Sequence, residues 1–138
     1  MMMGYSSSAE GHFDIVPPLT ITELRKRPDF RSTEDRQAVV VTEEETVQTD
    51  EGDLIRRTGV RIEPTFGEES WKRYDLQEHL QEIVTAYPGH EFPGHVKQLG
   101  EDGDRWGYHV VDGHVNEVRP VLRWPWGEET DDDDMRSE

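Results

Sequence analysis

The residues with most chemical potential here are the six histidines. His109 and His114 flank Asp112-Gly113, a dipeptide that favours a two-residue hairpin. Pairing across that turn puts both histidines on one face as diagonal neighbours, close enough to share an ion with a carboxylate. His90, Glu91 and His95 form a second cluster. Neither group has a known metal-ligand spacing, and the chain has no cysteine to support one. Histidines beside turns are ordinary surface residues, so the expectation is no metal and no cofactor.

Carboxylates are abundant enough that some pair always looks catalytic. Glu43-Glu44-Glu45, Glu68-Glu69 and Glu101-Asp102 are the obvious runs. General acid–base work needs one carboxyl shifted by burial, whereas contiguous acids in turns and ribbon tips are solvated. Asp50-Glu51-Gly52-Asp53 and Glu101-Asp102-Gly103-Asp104 are short of a full calcium loop. Ser6-Ser7-Ser8 has no nucleophile-elbow context, and neither a P-loop nor G-x-G-x-x-G is present. Pro88-Gly89-His90 and Pro93-Gly94-His95 read as turns. No enzyme is expected.

Three further groups bear on recognition. Trp124-Pro125-Trp126-Gly127 places two tryptophans around a proline. The plain reading has Trp124 closing the core and Trp126 capping an exposed edge; the functional one makes Trp126 an interface anchor. Arg25-Lys26-Arg27 with Arg31 is a basic patch at a helix end, where cations offset the helix dipole. The acids Glu43, Glu44 and Glu45 sit on a long ribbon opposite Arg56-Arg57.

Charge then selects the partner class. The net charge is -16 over 138 residues. Glu128–Glu138 holds seven acids and one base, so the remainder still carries -10. Such a field repels phosphate backbones and favours basic protein surfaces, or solubility alone. Apolar content is 32%, and mean hydropathy is -0.90, so the core is modest. Without cysteine or a membrane-length apolar run, a cytoplasmic protein is expected, away from membranes. Arginine outnumbers lysine twelve to three, as in GC-rich genomes.

The elements that must position these groups follow from periodicity. Phe13 and Ile15 share a face of a first strand over residues 11–16, with Pro17-Pro18 as its stop. Thr20 and Glu23 form a capping-box pattern for a short helix ended by Pro28. A polar loop follows to Arg36. A long hairpin comprises residues 38–48 and 54–64, with turn chemistry at 49–53. Asp75 and Glu78 are a second capping box, with Trp71 and Tyr74 at its entry. Leu76, Leu80, Ile83, Val84 and Tyr87 give the apolar stripe of a second helix, closed by Pro88-Gly89. Strands over 92–99, 105–111 and 114–123 complete the order, with Pro120 disturbing the last.

The fold expected is α+β: a mostly antiparallel sheet with two helices on one face, in ferredoxin-like βαββαβ order plus extra C-terminal strands. Residues 1–10 read as a flexible lead, 11–126 as a single α+β domain and 127–138 as a disordered acidic tail. The core expected is Phe13, Ile15, Leu24, Val39, Val41, Val60, Ile62, Leu76, Leu80, Ile83, Val84, Val110 and Val115.

Several stretches resemble a small uncharacterised family of actinobacteria and their phages. They are Met3-Gly4-Tyr5-Ser6-Ser7, Ala9-Glu10-Gly11, Pro17-Pro18-Leu19, Tyr87-Pro88-Gly89-His90-Glu91-Phe92, and Val118-Arg119-Pro120 with Trp124-Pro125. The resemblance spans residues 3–125 and implies no activity, cofactor or catalytic residue.

Two functions remain in view. The first is a small acidic cytosolic module that binds a protein with a basic surface, phage-encoded and acting on a host protein, with DNA mimicry as its sharper form. Its contact residues would be Glu43, Glu44, Glu45 and Trp126, and it would not bind nucleic acid directly. The second is a small-ligand-binding or enzymatic α+β domain using the His and carboxylate clusters.

Overall fold

The computed structural model describes residues 7–32, 36–65, 76–100 and 103–131. In chain order the elements are β1 (Ser7–Leu19), α1 (Ile21–Lys26), a 3-10 turn (Pro28–Arg31), β2 (Ala38–Thr49) and β3 (Gly52–Pro64). Then come α2 (Leu76–Ala86), β4 (Gly94–Gly100), β5 (Arg105–Val111), β6 (His114–Val118), β7 (Val121–Arg123) and β8 (Glu129–Asp131). Six strands form one antiparallel sheet in the order β2-β3-β1-β4-β5-β6. Its first four strands and two helices follow the ferredoxin-like β-α-β-β-α-β order, and β5 and β6 extend it beyond β4.

Local chemistry explains the helices. The Thr20 hydroxyl accepts from the Glu23 amide, and the Glu23 carboxylate accepts from the Thr20 amide, completing the capping box of α1. On α2, Leu76, Leu80, Ile83 and Val84 are all buried, as their spacing requires. They pack with Leu24 and Phe30 against Phe13, Ile62, Val96 and Tyr108 of the sheet, so both helices cover one face. The other face is open among the described residues.

The sheet corrects several sequence expectations. Pro17-Pro18 do not stop β1, which continues to Leu19. Asp14 pairs with Arg61 and Leu19 with Gly59, so the prolines lie in a bulge where no ladder amide is required. On β3 the register also shifts: Val41 faces Arg61 and Thr42 faces Gly59, leaving Val60 unopposed on β2. Val41 and Val60 are therefore only half-buried, and Val40 takes the core position against Ile62. Val110 is likewise partly buried at the core's margin.

The last strand breaks in two. β6 ends at Val118, and after Pro120 the chain leaves the main sheet to form a separate pair, β7 with β8. That pair reaches into the segment that composition assigns to the acidic tail. Asp75, Trp71, Tyr74, Glu68-Glu69, Glu101-Asp102 and Ser6 lie outside the described residues.

Candidate functional site

The ribbon acids do not stand free. Glu44 sits opposite Arg57 and Glu45 opposite Arg56, and each pair is joined by hydrogen bonds from the guanidinium. Glu43 lies 3.5 Å from Arg61, which also donates to Glu63 at 2.5 Å. Strand alternation puts Glu43 and Glu45 on one side of the ribbon and Glu44 on the other. The structure thus distributes these three acids over two faces and gives each a guanidinium.

Trp126 is placed differently. The turn Trp124-Pro125-Trp126-Gly127 joins β7 to β8, closed by the Gly127 amide donating to the Trp124 carbonyl at 2.8 Å. The two indoles stack, with centroids 5.1 Å apart and planes inclined by 8°. Trp124 does not close the core: it is 43% exposed, and Trp126 is 71% exposed. The physical reason is the break at Pro120, after which β7 leaves the main sheet and its three residues are all exposed. Val121 and Leu122 are exposed beside the two indoles, and the Trp126 indole N–H donates to Glu128. The product is an aromatic tip on a short strand pair, with carboxylates along one arm.

The histidine clusters separate. His109 pairs with Asn116 and His114 with Val111, so the two histidines are diagonal neighbours on the open face, as the Asp112-Gly113 register predicts. His12 and His95 face each other across β1 and β4 on that same face. Among the described residues no three His, Asp or Glu side chains gather as a metal site. His90 belongs elsewhere: its Nδ1 lies 2.5 Å from the Pro17 carbonyl oxygen and its Nε2 2.8 Å from the Glu23 carboxylate.

This Glu23–His90 pair escaped sequence reasoning, because 67 residues separate its members. Burial pushes the Glu23 carboxyl up, but bonds from the Thr20 amide and the His90 imidazole, with the charge on that ring, hold it below the usual range. The Pro17 carbonyl and the Glu23 carboxylate are both acceptors, and each ring nitrogen of His90 faces one of them. The pair reads as a clamp between α1, the β1 bulge and the turn after α2.

Within the basic patch, Arg27 is engaged, together with Arg36 from beyond it. Arg27 donates to Asp29 and Glu82, Arg36 donates to Glu82, and both guanidiniums lie over the Phe30 ring. The Arg27 guanidinium holds the Asp29 carboxyl below the usual carboxylate range.

Compared with known proteins, the chain matches a family of unknown function (DUF6205) over residues 3–136. No curated protein and no solved structure matches it.

Proposed function

The chain belongs to DUF6205, a family of unknown function, and from that premise we propose that it is a small acidic module that binds a protein partner through its Trp124–Trp126 hairpin. The observation that carries this reading is the stacked, exposed tryptophan pair with carboxylates beside it. Stacked indoles supply large rigid contact area at little entropic cost, and their faces attract lysine and arginine side chains. Glu128 and the net charge of -16 favour the same basic partner.

The reading extends to a cytoplasmic setting and a phage-encoded protein acting on a host protein, as the family resemblance suggests. No helix among the described residues is long and apolar enough to cross a membrane. The mimicry version draws support from the charge of the body alone. Carboxylates matched one-to-one with guanidiniums, as on the ribbon, make a poor copy of a phosphate row.

The test is affinity capture from host lysate with three baits. The parent and Glu43→Gln/Glu44→Gln/Glu45→Gln should hold the same partner, and Trp124→Ala/Trp126→Ala should lose it. Retention should fall as salt rises. A partner kept by the tryptophan variant, or lost by the glutamate variant, would overturn the assignment.

A further inference from the structure

On the open face of the sheet, Lys97 of β4 pairs with Gly107 of β5, and Gly107 pairs with Val118 of β6. Gly107 brings no side chain, so the face is hollowed there. A Cβ at that position would lie 3.1 Å from the Val96 carbonyl, 3.7 Å from Val118 and 3.9 Å from the Lys97 stem. The concavity has a volume of about 770 Å³. Lys97, Arg105, His95 and His109 line it together with the apolar side chains of Leu99 and Val118.

Most described arginines are committed to carboxylates. Arg27, Arg36, Arg56, Arg57, Arg61, Arg119 and Arg123 are all bound to carboxylates. Among the described residues Lys97 and Arg105 form no ion pair, nor do Arg25, Lys26 and Arg31 at α1 and the turn after it, but only Lys97 and Arg105 of these share a hollow. Glu10 faces Lys97 across β1 and β4 without pairing to it, and is the acid that shares the concavity. Leu99 and Val118 are 48% and 40% exposed, so the hollow offers apolar area as well as two cations without an ion pair among the described residues.

We propose that this concavity binds a small amphiphilic anion: an acidic head group between Lys97 and Arg105, on an apolar body over Gly107, Leu99 and Val118. Charge complementarity selects the head, since Lys97 and Arg105 line this hollow with Glu10 as its one acid, in a protein whose net charge is -16. The hollow selects the body, because a cleft of this size covers a ligand of about a dozen or more heavy atoms. The inference is independent of the tryptophan hairpin, and either can fail alone.

The probe is 1-anilinonaphthalene-8-sulfonate, followed by fluorescence on the full chain, with uncharged N-phenyl-1-naphthylamine and inorganic phosphate as comparators. One saturable sulfonate site per chain is expected, with the uncharged probe and phosphate each at least about tenfold weaker. Lys97→Gln/Arg105→Gln, both exposed side chains, should weaken the sulfonate by about tenfold or more, while Arg25→Gln/Lys26→Gln on α1 should leave it unchanged. Circular dichroism verifies folding of each variant. The proposal is overturned by non-saturable binding, by equal affinity for the charged and uncharged probes, or by a folded Lys97/Arg105 variant that binds like the parent.

Discussion

Gln81 of α2 clamps Val115 of β6: its Oε1 accepts from the Val115 amide at 2.8 Å, while its Nε2 donates to the Gly113 carbonyl at 2.9 Å. Gln77, one turn earlier, donates to the Val115 carbonyl at 3.0 Å. β6 is the outer strand of the sheet, and an outer strand presents unpaired backbone groups to any passing strand. The helix occupies those of Val115. Gln77→Leu/Gln81→Leu should cost about 1–3 kcal/mol by stranding the Val115 backbone, and should raise the tendency to self-associate. Urea melts and light scattering would check both; unchanged stability would show that water replaces the glutamines.

Leu80 is fully buried at the centre of the α2 face. Leu80→Ala should lower the unfolding free energy by about 2–5 kcal/mol, the sum of lost transfer energy and a partly collapsed cavity. A change well under 1 kcal/mol in urea titration would contradict the packing described.

Glu23 sets an acid-side dependence. Its folded carboxyl titrates below the ordinary value of about 4.3. Its contribution is therefore fully present above that unfolded value and disappears as pH falls through the lower folded one. Glu23→Gln should be less stable than the parent at pH 7, and the gap should close towards pH 3. A gap that stays constant across that range would remove the ionic part of the Thr20–Glu23–His90 arrangement.

Gly11 has a φ of +97°, and a Cβ there would stand 2.4 Å from the His95 carbonyl oxygen. Gly11→Ala should therefore force β1 and β4 apart and cost about 1–3 kcal/mol. Thermal melts comparing it with Gly52→Ala separate the two effects, because Gly52 also has positive φ but has nothing within 4 Å. Equal losses would mean that backbone strain alone, not the close approach, is responsible.

On the ribbon, replacing Glu43, Glu44 and Glu45 with lysine would set like charges opposite Arg56, Arg57 and Arg61. The triple reversal should lower the melting temperature more than the triple glutamine change, since exposed pairs contribute only about 0.2–1 kcal/mol each but facing cations repel. Equal melting temperatures for the two variants would show that the ribbon is indifferent to its charge pattern.

Much of the fold was legible because its causes are local. The spacing of Leu76, Leu80, Ile83 and Val84 identifies α2, Thr20 and Glu23 start α1, and Asp112-Gly113 sets the register that faces Val110 with Val115. The same register correctly relates His109 to His114, and the opposed charges of the ribbon were readable from its length and turn. These features depend on residues a few positions apart, where backbone geometry leaves few choices.

Other features arise between segments distant in the chain, and only the folded sheet decided them. Bulges shifted the parity of β1 and β3, exchanging Val41 for Val40 in the core and carrying Pro17-Pro18 within a strand. Insertion of β1 between β3 and β4 set His12 against His95 and brought Pro17 to His90. The break at Pro120 turned Trp124 outward onto Trp126. Lys97 and Arg105 gained their common hollow from pairing through Gly107. A one-residue slip in register moves every side chain of a strand to the opposite face, so which groups meet on a sheet is settled by long-range pairing rather than by neighbouring residues.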